Sequence, residues 1–195
     1  MSLIPAFQLG LWNAWIIQVA NLLTTTIPSM IDKGTTKKRI GEFKWSELCR
    51  TEKIVLLITH VIIGPFTIIY SIFLPLKLGT VWLYVGLPIC ALALLMGFIG
   101  GIAFATAPLD EPITRGVYRI SRHPAYFSGF LLYLGIAIAC ASWIFLVCAM
   151  VWIVSMHFGT FPEERELLEK YGDAYRKYMD STPRWIGIPK SGERD

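Results

Sequence analysis

Long stretches of this 195-residue chain contain no Asp, Glu, Lys or Arg. Residues 1–31, 54–76, 78–109 and 124–162 are each free of them. Blocks of that length exclude an ordinary soluble domain, in which charged residues are spread along the chain. Apolar residues make up 54% of the whole, and the mean hydropathy is +0.54. The four cysteines, Cys49, Cys90, Cys140 and Cys148, show no CxxC or Cys/His spacing, so neither a disulfide framework nor a metal site is expected. No basic segment precedes the first apolar block, which therefore reads as a retained helix rather than a signal peptide. Internal repeats, low-complexity tracts and a separate soluble domain are also missing, which leaves one membrane domain over residues 1–195.

What the chain does have is basic residues at the edges of these blocks. Its net charge of +4 suits anionic lipid headgroups, and that placement argues against nucleic acid as a partner. An apolar segment of about 20 residues crosses a bilayer once. The 38 residues from Pro124 to Phe161 are enough to cross and return. If they form such a hairpin, 17 of the 18 Lys and Arg residues fall on one side and Lys77 alone on the other; a single crossing would split them 10 to 8. The positive-inside rule selects the hairpin. The expected fold is all-α and integral to the membrane, with five transmembrane helices near 7–27, 54–76, 81–106, 124–140 and 143–161. The N-terminus is outside, and the C-terminus is cytoplasmic with the active site. Ala141-Ser142 supplies a tight turn, Pro65 and Pro88 kink their helices, and Gly97, Gly100 and Gly101 permit close packing. Part of the charged segment 28–53 reads as an interfacial amphipathic helix.

The hairpin would bring two polar clusters to one face. Before it stands Arg115-Gly-Val-Tyr118-Arg-Ile-Ser-Arg122-His123-Pro124-Ala-Tyr126-Phe-Ser-Gly129. After it come Pro162-Glu163-Glu164-Arg165-Glu166 and then Tyr171-Gly172-x-x-Tyr175-x-x-Tyr178. In this order, over roughly residues 108–185, the elements resemble the C-terminal region of the isoprenylcysteine carboxyl methyltransferase family, a relative of the phospholipid N-methyltransferases. The resemblance implies S-adenosylmethionine, leaving as S-adenosylhomocysteine, bound at the cytoplasmic end of helices four and five by the C-terminal half of the chain. Asp110, Glu111, Pro112, Ile113, Tyr118, His123, Pro124, Tyr126 and Glu163 would hold it. It also implies a prenylated or other lipidic substrate entering from the bilayer. In the eukaryotic enzymes an arginine shortly before the glutamate pair is associated with the substrate carboxylate; by spacing, Gly159 stands there.

The residue chemistry agrees independently. Carboxylates such as Glu163 can take an ammonium or a ribose diol, and tyrosine rings can face a sulfonium or stack on adenine. Simpler readings stand beside these. Arg115, Arg119 and Arg122 fall at i, i+4 and i+7 and fit a solvated stripe. His123 before Pro124 fits an interfacial helix start, and Thr160-x-x-Glu163 has capping-box spacing that would begin a tail helix. Glu164 and Glu166 read as exposed or helix-stabilising, and the tail tyrosines as packing. His60 and His157 have no assigned role.

A carboxylate acceptor is ionised near neutral pH and needs no general base, whereas an amine must first lose a proton. His123, Tyr126 and Glu163 are then expected to align the reactants rather than move protons, which favours the carboxylate of a prenylated cysteine or similar lipid-linked acid. Phosphatidylethanolamine is the alternative acceptor. An NADPH-dependent sterol-type reductase, whose relatives share the Arg-His-Pro-x-Tyr element, and a non-enzymatic scaffold are the other classes. The topology is open to cysteine-accessibility labelling. Ser142→Cys should label from outside and Ser191→Cys from the cytoplasm; labelling of both from one side would rule out the hairpin.

Overall fold

A computed structural model describes residues 8–31 and 48–188. The expected start of the first helix and most of the expected amphipathic segment lie outside the described residues. Those that are described form helices with no strand. The helices are α1 (Trp15–Ile31), α2 (Arg50–Ile72), α3 (Val81–Thr106), α4 (Pro124–Ala139), α5 (Trp143–Tyr171) and α6 (Asp173–Ser181). By length and composition α2, α3 and α5 are long and apolar enough to cross a membrane, while α1 and α4 are shorter apolar helices.

α3 occupies the expected range, and α4 closes one residue early. Elsewhere local chemistry moves the boundaries. α1 begins at Trp15 because the residues before it hook over the end of α2 instead of coiling. Ala14 N donates to Leu74 O at 2.9 Å and Leu76 N to Trp12 O at 3.0 Å. The Asn13 amide donates to Gln8 O at 2.6 Å and to Ile72 O at 2.7 Å. α2 starts at Arg50, four residues earlier than expected, because Cys49 and Glu52 form a reciprocal capping box. Within it a wide π-helical turn, Ile58–Ile63, precedes Gly64-Pro65, so the strain of a proline without an N–H is taken up there.

The hairpin turn at Ala141-Ser142 is as expected. Ala141 takes a left-handed φ of 51°, and Ser142 caps α5 by accepting from Phe145 N at 3.3 Å. α5 does not stop at Phe161. It continues through Pro162 to Tyr171, so Thr160 begins no tail helix; its hydroxyl donates back to His157 O at 2.9 Å. At 1.5 Å per residue α5 is about 43 Å long against a hydrocarbon core of about 30 Å. Its last polar turns, from Glu163 onward, therefore extend beyond the apolar span.

The core lies between α3, α4 and the first half of α5, around Cys90, Ile136, Phe145 and Ala149. The tightest crossing uses Gly86 and Gly135, not the expected glycines. A Cβ on Gly86 would stand 2.6 Å from Gly135 O, and one on Gly135 would stand 2.9 Å from Cys90 N. Gly97, Gly100 and Gly101 face Ser128, Pro124 and Pro28 at the polar end of the bundle. Gly86→Ala should therefore cost about 1–3 kcal/mol, because a helix backbone cannot yield as a flexible side chain does. Gly159→Ala meets only Met156 Cε, at an ordinary contact distance of 3.9 Å, and should gain up to about 1 kcal/mol from helix propensity. Thermal unfolding in detergent checks the pair; equal midpoints for both variants would contradict this crossing.

Candidate active site

The chain between α3 and α4 is held against the protein by the segment that follows α6. Arg122 N donates to Pro183 O at 3.1 Å and Gly187 N to Ile120 O at 3.1 Å. The Ser121 hydroxyl donates to Arg184 O at 3.3 Å and accepts from His123 N at 3.2 Å. His123 is the N-terminal cap residue of α4, with Pro124 in the first turn where its missing N–H costs nothing. Trp152 fixes the same turn from α5, donating to Tyr126 O at 3.1 Å across the space that Gly129 leaves.

Two polar clusters far apart in sequence meet here, around one carboxylate. Glu164, 4% exposed, receives three cations. Arg122 approaches Oε1 at 3.1 Å and His123 Nε2 lies 3.0 Å from the same oxygen. Arg184 donates through Nε to Oε1 at 3.2 Å and through a terminal nitrogen to Oε2 at 2.6 Å. The Arg184 guanidinium also covers the Phe161 ring at 4.6 Å. His123 Nδ1 faces Glu163 Oε2 at 3.4 Å. Burial alone would lower the His123 pKa, but the two carboxylates outweigh it and hold it above 6.5. The Nε2 contact is a hydrogen bond and the Nδ1 contact an ion pair without one, and both carboxylates favour the charged ring. Burial alone would raise Glu164, but its bonds to His123 and Arg184 and the charge of Arg122 bring it down to about 2. Burial, followed by the nearby carboxylates, pushes the Tyr175 hydroxyl well above its usual range, so it stays neutral.

Beside this cluster is a cavity of about 370 Å³, within the range typical of small-molecule sites. Seven of the nine cofactor residues singled out from the sequence line it: Pro112, Ile113, Tyr118, His123, Pro124, Tyr126 and, from α5, Glu163. Asp110 and Glu111 are exposed on the preceding loop and are not among the lining residues. The His123 and Tyr126 rings stack 5.7 Å apart with 16° between planes. Glu163 Oε2 is buried yet accepts no hydrogen bond among the described residues.

Several readings are corrected. Glu164, expected to be exposed or helix-stabilising, is buried and is the hub. Arg122 does not belong to a solvated stripe: its segment folds as a 3₁₀ turn, Gly116–Arg119, and a bend, which leaves Arg115 and Arg119 exposed while Arg122 turns inward. Tyr175 and Tyr178 pack as expected but also line the cavity, and Tyr178 donates to Tyr118 O at 2.7 Å. Gly159 is not among the lining residues. His157 sits in an aromatic group with Phe158, Phe161 and Trp185. Sequence reasoning missed Arg184, the Trp185 ring 6.4 Å from His123, and a contribution from α1, whose Thr24, Thr25 and Ser29 line the cavity. The available signal was the Arg184-Trp185 pair after Pro183, a basic and aromatic step in an otherwise ordinary tail.

Removing Glu164 leaves the buried Arg122 and the partly buried Arg184 uncompensated, so Glu164→Gln should destabilise the protein by about 3 kcal/mol. Glu163→Gln, on a half-exposed side chain, should cost much less. A carboxyl held low in the folded state gives stability that is complete above its ordinary pKa of 4.5 and is lost as pH falls through that value toward about 2. His123, held high, contributes below 6.5 and loses that contribution as pH rises through its raised value. Unfolding midpoints measured against pH should fall steeply between pH 4.5 and about 2 in the parent, and the slope should flatten in Glu164→Gln. An unchanged acid limb in that variant would contradict the hub.

Comparison with curated proteins finds no match. Residues 89–174, from within α3 through α4 and α5 to the start of α6, match the phospholipid methyltransferase family. That segment contains the first polar cluster, the hairpin and the second cluster as far as Gly172, most of the region on which the resemblance to the related isoprenylcysteine carboxyl methyltransferases rests. Together with the long apolar helices, the match points to an integral membrane protein, of which residues 89–174 are similar to the phospholipid methyltransferase family.

Proposed function

We propose that the protein is an S-adenosylmethionine-dependent methyltransferase that esterifies the carboxylate of a prenylated cysteine or a similar lipid-linked acid. The cavity would face the cytoplasm, as the distribution of basic residues argues. The residues present suit the cofactor. Glu163 offers a buried carboxylate oxygen with no hydrogen bond, a seat for an ammonium or a ribose diol. Tyr118 and Tyr126 supply aromatic faces for a sulfonium or an adenine. When bound, S-adenosylmethionine supplies a sulfonium methyl group that a carboxylate takes by in-line displacement, leaving neutral S-adenosylhomocysteine.

The observation that carries the choice of acceptor is the commitment of His123. Both ring nitrogens face carboxylates, which favour the charged form of the only histidine lining the cavity and make it a poor choice of general base. A carboxylate acceptor needs no proton removed. Glu163, Tyr126 and His123 then serve to hold, align and desolvate the reactants, which is where most of the rate in such a displacement comes from. The family match favours a second reading, N-methylation of a phospholipid amine.

Calorimetry should show S-adenosylhomocysteine binding and no NADPH binding; the reverse would support a reductase. Glu163→Ala and His123→Ala should weaken S-adenosylhomocysteine by about 10- to 150-fold, the effect of losing a charge-assisted hydrogen bond. Unchanged affinity in both would remove them from the cofactor site. With methyl-labelled cofactor and N-acetyl-S-farnesylcysteine, base-labile label released as methanol is the expected product. Alkali-stable label on phosphatidylethanolamine would overturn the carboxylate reading in favour of the phospholipid one.

A further inference from the structure

The cavity has walls of two kinds. One is ionic and aromatic, built from the loop before α4 and from the polar end of α5. The other is apolar and hydroxylic: α3 lines it with Gly97, Gly100, Gly101, Phe104 and Ala105, and α1 presents Thr24, Thr25, Pro28 and Ser29 at i, i+1, i+4 and i+5, a single helical face. α1 lies outside the stretch that matches the known family, and nothing in that match accounts for its hydroxyls.

Each of these hydroxyls has already spent its proton. Thr24 donates to Asn21 O at 2.9 Å, Thr25 to Leu22 O at 3.0 Å, and Ser29 to Thr26 O at 2.6 Å. Such back-bonding satisfies a hydroxyl on an apolar helix, and Thr26 does the same towards Leu22 O at 2.6 Å without lining the cavity. A hydroxyl has one proton and two lone pairs. What α1 offers the cavity is therefore lone pairs alone, a surface that accepts hydrogen bonds and does not donate them. Among the described residues one buried donor beside the cavity is unmatched: Arg122, whose side chain is 9% exposed, keeps an Nε–H with no hydrogen-bond partner. The complementary ligand has an N–H next to an anionic oxygen.

Resting on the methyltransferase reading above, we infer that the Thr24, Thr25 and Ser29 face of α1 receives the head group of the methyl acceptor and selects heads that carry an N–H donor beside the methylated carboxylate. An N-acylated, S-alkylated cysteine has that arrangement, its amide N–H one carbon from the carboxylate. The wall acts on the acceptor and not on the cofactor, for which Glu163, Tyr118 and Tyr126 stand on the ionic and aromatic wall.

The test combines two substrates with two proteins. The substrates are N-acetyl-S-farnesylcysteine and its counterpart methylated on the amide nitrogen, which lacks the N–H. In the parent protein the N-methylated substrate should show a KM higher by about 3- to 10-fold, the usual effect of one neutral hydrogen bond. In the triple variant Thr24→Val, Thr25→Val, Ser29→Ala, the KM of the N–H substrate should rise to match, and the difference between substrates should vanish. S-adenosylhomocysteine affinity should not change, and Thr26→Val should leave both KM values where they were. A substrate difference that survives in the triple variant overturns the inference. So does a fall in S-adenosylhomocysteine affinity, which would assign the face to the cofactor. If the triple variant does not fold, equal KM values for the two substrates in the parent overturn it alone. If neither substrate is esterified although S-adenosylhomocysteine binds, the proposed acceptor fails instead. The variants are then compared on phosphatidylethanolamine, where an unchanged KM overturns the wall as well.

Discussion

A carboxylate buried at the end of a membrane helix is unstable by itself, and the site depends on how that cost is met at Glu164. Burial of an isolated ion costs several kcal/mol, which excellent geometry and additional hydrogen bonds can offset. Here two guanidinium groups and an imidazole supply both, and they come from two segments far apart in the chain. Arg122 and His123 arrive from the loop before α4, and Arg184 from the segment after α6. The loop and the tail are thereby drawn onto the end of α5, and the backbone bonds at Arg122, Ser121 and Gly187 follow.

The same arrangement divides labour between neighbouring residues. Glu164 absorbs the positive charge, while Glu163, about 100° away round the helix, keeps a buried oxygen for a ligand. His123 joins the two and is held in its charged form by both. The apolar hairpin behind them brings residues 122 and 164 together across a turn made of Ala141 and Ser142. α3 passes close behind α4 because Gly86 and Gly135 let the two backbones approach.

Much of this was legible in the sequence where the signal was local. Uncharged length located α3 to the residue and α4 to within one, and the balance of basic residues argued for a hairpin. That the two polar clusters converge followed from the hairpin alone. What was not legible depended on contacts distant in sequence. Glu163 and Glu164 are chemically identical neighbours, and only the position of Arg184, twenty residues on, decides which is the hub and which faces the cavity. Pro162 reads as a helix end, yet α5 runs through it because the following turns are tied down by the Glu164 cluster and by Arg165 against Glu52 at 3.3 Å. The threonines of α1 look like ordinary back-bonded hydroxyls until the cavity shows which of them face inward.

The central claim is that His123 is a cation locked between two glutamates and not a base awaiting a proton. Nitrogen-15 NMR of histidine-labelled protein in detergent reads this directly, with His123→Gln used to assign the signal. Both ring nitrogens should show mainly imidazolium shifts at about pH 6.5, where an ordinary histidine is already half deprotonated, and Glu164→Gln should move the ring toward the neutral form at that pH. A neutral tautomer in the parent protein at that pH would contradict the account.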